Sequence, residues 1–163
     1  MIKGKGVSVG VGFGNTVILK NEERKIEKTT VEDSNAEMDR LKKAIEEVTK
    51  ETEEIVNKST GTEKEIMSAY LMILQDPALT QETENGIKDL KYSAEYAVEV
   101  GFNSVIQIFE NMDDEYMAGR FRDIADIKDR VLAKLLNEQT INISELNPNT
   151  IIVAIELTTS DTA

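Results

Sequence analysis

Apolar positions recur at helical spacing through the middle of the chain, and at strand-like density only near its two ends. From Ser34 to Lys58 the seam falls at Met38, Leu41, Ile45, Val48, Thr52 and Ile55, in alternating steps of three and four. Such a narrow stripe suits packing along another long helix. Ser34 and Glu37 have the spacing of a capping box at its start. Ser59-Thr60-Gly61 closes the segment, and Thr62 with Glu65 repeats the cap signature before Ile66, Met67, Tyr70, Ile73 and Leu74. Asp76-Pro77 then interrupts the pattern. Proline lacks the N–H of a helix interior but fits the first turn of a new helix, so a kink or short break is expected, followed by a helix near 78–90. Residues 93–112 predict a more apolar helix carrying Ala97, Val98, Phe102, Val105, Ile106 and Phe109. Residues 113–136 predict the last one. It opens on Asp113, Asp114 and Glu115, where unpaired backbone N–H groups attract negative charge, and its stripe is Phe121, Ile124, Ile127, Val131 and Leu135. Short connections between long amphipathic helices imply antiparallel neighbours, hence a bundle of about four helices.

The ends differ. Residues 7–19 mix β-branched side chains with Gly10, Gly12 and Gly14, and residues 150–157 (TIIVAIEL) form a continuous apolar run after Pro148. The second run has the character of a strand buried on both faces. Two short strands do not make a stable sheet alone. A helical insert between them therefore suggests a discontinuous domain, incomplete at Ala163. The expected fold class is α+β: a mainly helical four-helix bundle inserted in an incomplete α/β domain. Residues 21–33 are charged and poor in turn residues, and read as a connector.

Charge narrows the partners. Nineteen basic residues against thirty-one acidic ones give a net charge of −12 in 163 residues. That field repels phosphate backbones and anionic bilayers, so neither nucleic acid nor a membrane is an expected partner. No apolar run approaches the roughly 20 residues of a membrane helix, and the glycine-rich start does not read as a signal peptide. Cysteine is absent, which is compatible with the cytoplasm and leaves no thiolate chemistry. Histidine is absent too. Metal ligands are thus limited to oxygen, with no calcium-loop spacing to arrange them, and imidazole catalysis is impossible within these residues.

Four blocks carry a resemblance. Gly6 to Gly14 (GVSVGVGFG) resembles G-x-x-x-S-P-G-I-A-x-G, with Val9 where proline is usual. Residues 65–79 (EIMSAYLMILQDPAL) resemble E-I-F-E-A-H-L-M-L-x-x-D-P-E-L, with Tyr70 in place of histidine. Residues 113–132 resemble a D-D-E-Y-x-x-x-R-x-x-D-hydrophobic-x-D run, and residues 151–163 (IIVAIELTTSDTA) resemble V-I-V-A-x-D-L-T-P-S-D-T-A, with Thr159 for proline. In this order and at these separations they resemble the N-terminal part of enzyme I, the phosphoenolpyruvate–protein phosphotransferase of the bacterial sugar phosphotransferase system. In that family a G-G-x-T-S-H motif with the phosphorylated histidine follows some distance on.

The resemblance implies a division of the chain. Residues 1–20 would be the N-terminal strand or strands of the phosphohistidine domain, 21–33 the connector, 34–137 the helical domain that docks the carrier protein HPr, and 138–163 the return into the phosphohistidine domain. It implies a cytoplasmic enzyme that moves a phosphoryl group from phosphoenolpyruvate through its own histidine to HPr. This chain would supply docking only, be inactive alone and be a monomer; it would need no cofactor. Magnesium, phosphoenolpyruvate binding and dimerisation belong to the full-length enzyme.

By motif match, Tyr70, Met72, Ile73 and Leu79 would form one wall of an HPr groove, with Phe109, Met117, Arg120 and Asp123 on the other. Such a surface needs an apolar floor and a charged rim that release the partner each cycle, and a flexible thioether adapts to a partner. Without the resemblance, Met72, Ile73 and Leu79 read as core, and Arg120 with Asp123 as a solvated ion pair three residues apart. Ser160-Asp161-Thr162 lacks a base and reads as a turn rather than a nucleophile. The family often has arginine where Ala125 stands. Departures at Val9, Tyr70, Ala125 and Thr159 leave an alternative: a non-catalytic helical adaptor, derived from an enzyme I-like paralogue, that binds another protein.

Overall fold

The computed structural model describes residues 5–19, 24–113, 120–138, 141 and 143–162. Its elements run β1 (Asn15–Leu19), α1 (Ser34–Lys58), α2 (Gly61–Leu74), α3 (Pro77–Leu90), α4 (Ala94–Glu110), α5 (Phe121–Leu135), a 3₁₀ turn (Ile143–Glu145), β2 (Thr150–Ala154) and a second 3₁₀ turn (Ser160–Thr162). The protein is mostly helical with a small two-stranded sheet, the α+β class expected. α2 and α3 are the two halves of one interrupted helical stretch.

The break between them follows from Asp76-Pro77. Proline occupies the first turn of α3, and the Asp76 carboxylate accepts from the Ala78 N–H at 2.9 Å. Ser93 caps α4 through the Tyr96 N–H. Two other caps differ from expectation. Asp33, not Ser34, caps α1, accepting from the N–H groups of Asn35 and Ala36. Ser34 instead donates to the Ile87 carbonyl at 2.9 Å, and Glu37 is buried, accepting from the Ala94 N–H at 2.7 Å and from Arg40. Tertiary partners thus took both members of the capping box. α2 begins at Gly61 after Thr60, whose side chain makes no cap bond, so Thr62 and Glu65 lie inside the helix. Asp113 is outside any helix and α5 begins at Phe121; Asp114 and Glu115 lie outside the described residues.

One core joins the five helices of the described residues. It contains Leu41 and Val48 of α1, Met67 and Leu74 of α2, Ile87 of α3, Phe102 of α4, and Ile127 and Val131 of α5. α3 and α4 approach closely because Gly101 faces Thr83: a Cβ there would sit 2.4 Å from Thr83 Oγ1 and 2.8 Å from its backbone nitrogen. The connector is pinned to the loop between these helices, with Val31 N–H donating to the Lys91 carbonyl at 2.7 Å and Ser93 N–H to that of Thr29 at 2.9 Å.

The strands are shorter and barer than their patterns predict. β1 and β2 pair in parallel, Asn15 opposite Thr150 through Leu19 opposite Ala154. Just before the ladder the two backbones run close at Gly14, where a Cβ would lie 1.9 Å from the Asn149 carbonyl oxygen. Residues 5–13 form no strand and their apolar side chains are exposed; in the parallel register they would face the residues before Thr150, where the chain turns at 148–149. The run 150–157 has the composition of a strand covered on both faces, yet Ile151, Val153 and Ile155 are exposed. A longer sheet with helices on both sides is what such a run ordinarily needs.

Candidate functional site

The residues expected at a docking face separate into three groups. Tyr70 and Leu79 are core residues, 1% and 3% exposed, so neither presents a surface to a partner. The helical period accounts for this: Met67, Tyr70 and Leu74 form the inward stripe of α2. Met72 lies off that stripe and is 73% exposed. Ile73 and Phe109 are half-buried, each packed against the core with part of its surface open. Arg120 and Asp123 are half-buried and paired at 3.2 Å, as their spacing implies. Met117 lies outside the described residues.

Tyr70 borders a polar cluster that the linear sequence does not announce. Arg130 of α5 lies over its ring, 5.9 Å from the centroid. The same guanidinium donates to Thr52 Oγ1 at 3.2 Å and to Glu51 at 3.0 Å. The Tyr70 hydroxyl is buried and, among the described residues, makes no hydrogen bond of good geometry, though Arg130 and Asp126 both lie close to it. Burial, and next the charge of Asp126, push it far above the usual tyrosine range. Glu51 is held below the usual carboxylate range: burial acts to raise it, but Lys134 and Arg130, both bonded to it, outweigh that.

Asp126 is the most buried aspartate of α5, 6% exposed. It accepts from the Ser160 N–H at 3.0 Å and from the Ser160 hydroxyl at 2.9 Å. Burial raises its carboxyl above the usual range, against the opposing effects of Ser160, Thr158 and Arg130. Asp123 accepts from Thr159 Oγ1 at 3.1 Å with its second oxygen, so one carboxylate serves both Arg120 and the chain's last turn. The turn reading of Ser160-Asp161-Thr162 agrees with its 3₁₀ form. The available signal was the spacing of Asp123, Asp126 and Asp129 along one side of α5, and the hydroxyls at 158–160. Nothing in the linear order says that these meet.

Against known proteins, the PEP-utilising enzyme, N-terminal family matches residues 3–120, and the chain belongs to that family. It corresponds to the N-terminal part of enzyme I. It is 38% identical over its whole length to the phosphoenolpyruvate-protein phosphotransferase of Enterococcus faecalis and 36% identical over 99% of its length to that of Bacillus subtilis. It spans 29% of each of those relatives. A solution structure of Enzyme I (nEIt) superposes with a TM-score of 0.84 at 31% identity, covering 99% of this chain and 68% of that one. The N-terminal domain of Enzyme 1 - Nitrogen shares the fold, with a TM-score of 0.73 at 22% identity over 94% of this chain and 64% of the other.

Proposed function

We propose that the chain is the docking part of a phosphoenolpyruvate–protein phosphotransferase, and that residues 34–137 receive the phosphocarrier HPr through the face of α2 that carries Met72. The observation behind this reading is the exposure of Met72, together with half-open Ile73 and exposed Ile66, on a helix whose Met67, Tyr70 and Leu74 are inside. An apolar thioether at 73% exposure, set in a chain of net charge −12, suits a partner with an apolar contact patch and a basic rim. Arg120 and Asp123, paired at the start of α5, would supply polar contacts to the same partner. Tyr70 and Leu79 support the wall from within rather than touching the partner.

Phosphoryl transfer depends on positioning donor and acceptor in line. With no histidine, this chain holds no phosphoryl group on an imidazole of its own, so it positions the carrier and does not transfer by itself. Phosphoenolpyruvate, magnesium and dimerisation belong to other parts of the enzyme, the chain itself being a monomer that works in the cytoplasm. Among the described residues no helix is long and apolar enough to cross a membrane.

Titration of isotope-labelled HPr with this chain, followed by NMR, tests the reading. Shifts clustered around the HPr active-site histidine are expected, lost with Met72→Asp and weakened by Arg120→Ala. A flat titration with folded protein overturns it and favours the adaptor, a reading that the replacement of the family's histidine by Tyr70 independently supports.

A further inference from the structure

The sheet and the bundle are joined by two crossing segments, residues 20–33 and 136–149, and the segment after β2 folds back onto α5; the sheet contributes little packing of its own. Among the described residues no strand packs extensively on a helix, and Ile18, Ile151 and Val153 remain exposed. Its orientation must therefore come from where the crossings are anchored. The first crossing is anchored by the backbone bonds of Thr29 and Val31, and by Arg24, which bonds Glu138 at 2.8 Å and Asp129 at 3.1 Å. That bond to Glu138 ties the first crossing to the second, residues 136–149. The segment after β2, residues 158–162, is a third tie, anchored on α5 by Thr159 to Asp123 and by Ser160 twice to Asp126.

We propose that Asp126, with Asp123 beside it, is a positioning latch: the two carboxylates hold the turn at 158–162 against α5 and so set the angle between the β1–β2 sheet and the exposed face of α2. Three features make the turn a fit for this. It is closed on itself, Thr158 N–H donating to Asp161 Oδ2 at 3.0 Å and the Thr158 and Ser160 hydroxyls lying 3.1 Å apart. A closed turn moves as a unit, so fixing Ser160 tethers the end of β2 through only the three residues 155–157. Asp126 is also buried, and a buried carboxylate is costly unless hydrogen-bonded, which makes release of Ser160 unfavourable. Finally, Asp126 borders the Tyr70–Arg130 contact, so α2 and the turn meet the same few atoms of α5. That the α2 face receives a carrier rests on the proposed function; the latch does not.

The chain has no cysteine, so paired spin labels can be introduced cleanly. One pair, Thr16→Cys with Lys50→Cys, spans sheet and bundle; a second, Lys50→Cys with Asp89→Cys, lies within the bundle. Electron-resonance distance distributions are recorded for the parent, for Thr159→Val/Ser160→Ala, and for Asp126→Leu. The sheet-to-bundle distribution is expected to be narrow in the parent and to broaden in both variants, while the bundle pair stays narrow. Ser160→Thr, which keeps the hydroxyl, should restore the narrow form. A merely stabilising role would change the melting temperature and leave the width alone. The double variant leaves the bundle core intact, so it decides the matter even if Asp126→Leu fails to fold. An unchanged width in that variant, or a broad distribution already in the parent, overturns the latch. HPr titration is a separate readout, so loss of docking and loss of the latch are distinguishable.

Discussion

The helical bundle and the two-stranded sheet are both rich in apolar residues, but they treat them in opposite ways. In the bundle, Val48, Ile87, Phe102 and Ile127 are sealed from solvent by helices on several sides. In the sheet, Val153 of β2 remains 47% exposed, and Ile18 of β1 is barer still. A parallel pair of five-residue strands offers each side chain one neighbouring strand and no covering layer. Stability is therefore expected to reside in the bundle, with the sheet held by its crossings and its short ladder.

The sharpest way to break that contrast is a matched pair of truncations. Phe102→Ala should cost about 3–5 kcal/mol, whereas Val153→Ala should stay within ~0.5 kcal/mol, both read from urea denaturation followed by circular dichroism. Equal costs would mean that the sheet belongs to the same cooperative core. The next pair uses the two crowded glycines. Gly101→Ala forces a Cβ against the Thr83 backbone, 2.8 Å from its nitrogen, and should destabilise the bundle by about 1–3 kcal/mol. Gly14→Ala meets the Asn149 carbonyl and should speed amide exchange in β1 and β2 while leaving the bundle's melting temperature unchanged. Loss of bundle stability from the Gly14 change would erase the distinction. The smallest effect is expected inside the bundle at Tyr70→Phe. It removes a buried hydroxyl that makes no well-formed hydrogen bond among the described residues, so it should be neutral or stabilising by up to about 1 kcal/mol. A clear loss of stability in thermal melts would show that the hydroxyl is satisfied in solution.

Much of this architecture was legible before any coordinates. The three-and-four stripes gave α1, the break at Asp76-Pro77 separated α2 from α3, and glycine-rich and apolar ends marked the strands. These signals are local: a stripe needs one period to be visible, and proline acts on its own backbone. The caps of α1 were less legible because Asp33, Ser34 and Glu37 are all competent cappers, and the choice was made by distant partners, Ile87 for Ser34 and Ala94 for Glu37. At the candidate docking face, the motif match identified α2 and left the direction of each side chain open. Met72 points outward and Tyr70 inward although they are two residues apart, which is the angular step of the helix acting on neighbours.

Sequence alone determined the helical middle, the strand-like ends, the acidic surface, the exclusion of imidazole and thiolate chemistry, and the likeness to enzyme I. Each depends on residue identity or on short-range order. Tertiary structure decided which acids of α5 are spent on hydroxyls of the last turn and which on Arg24. It also decided that Arg130 lies over Tyr70, and that β1 pairs in parallel with β2. Those partners lie 34 to more than 100 residues apart along the chain. Their meeting is set by how the helices pack, a property of the whole core that no local pattern encodes.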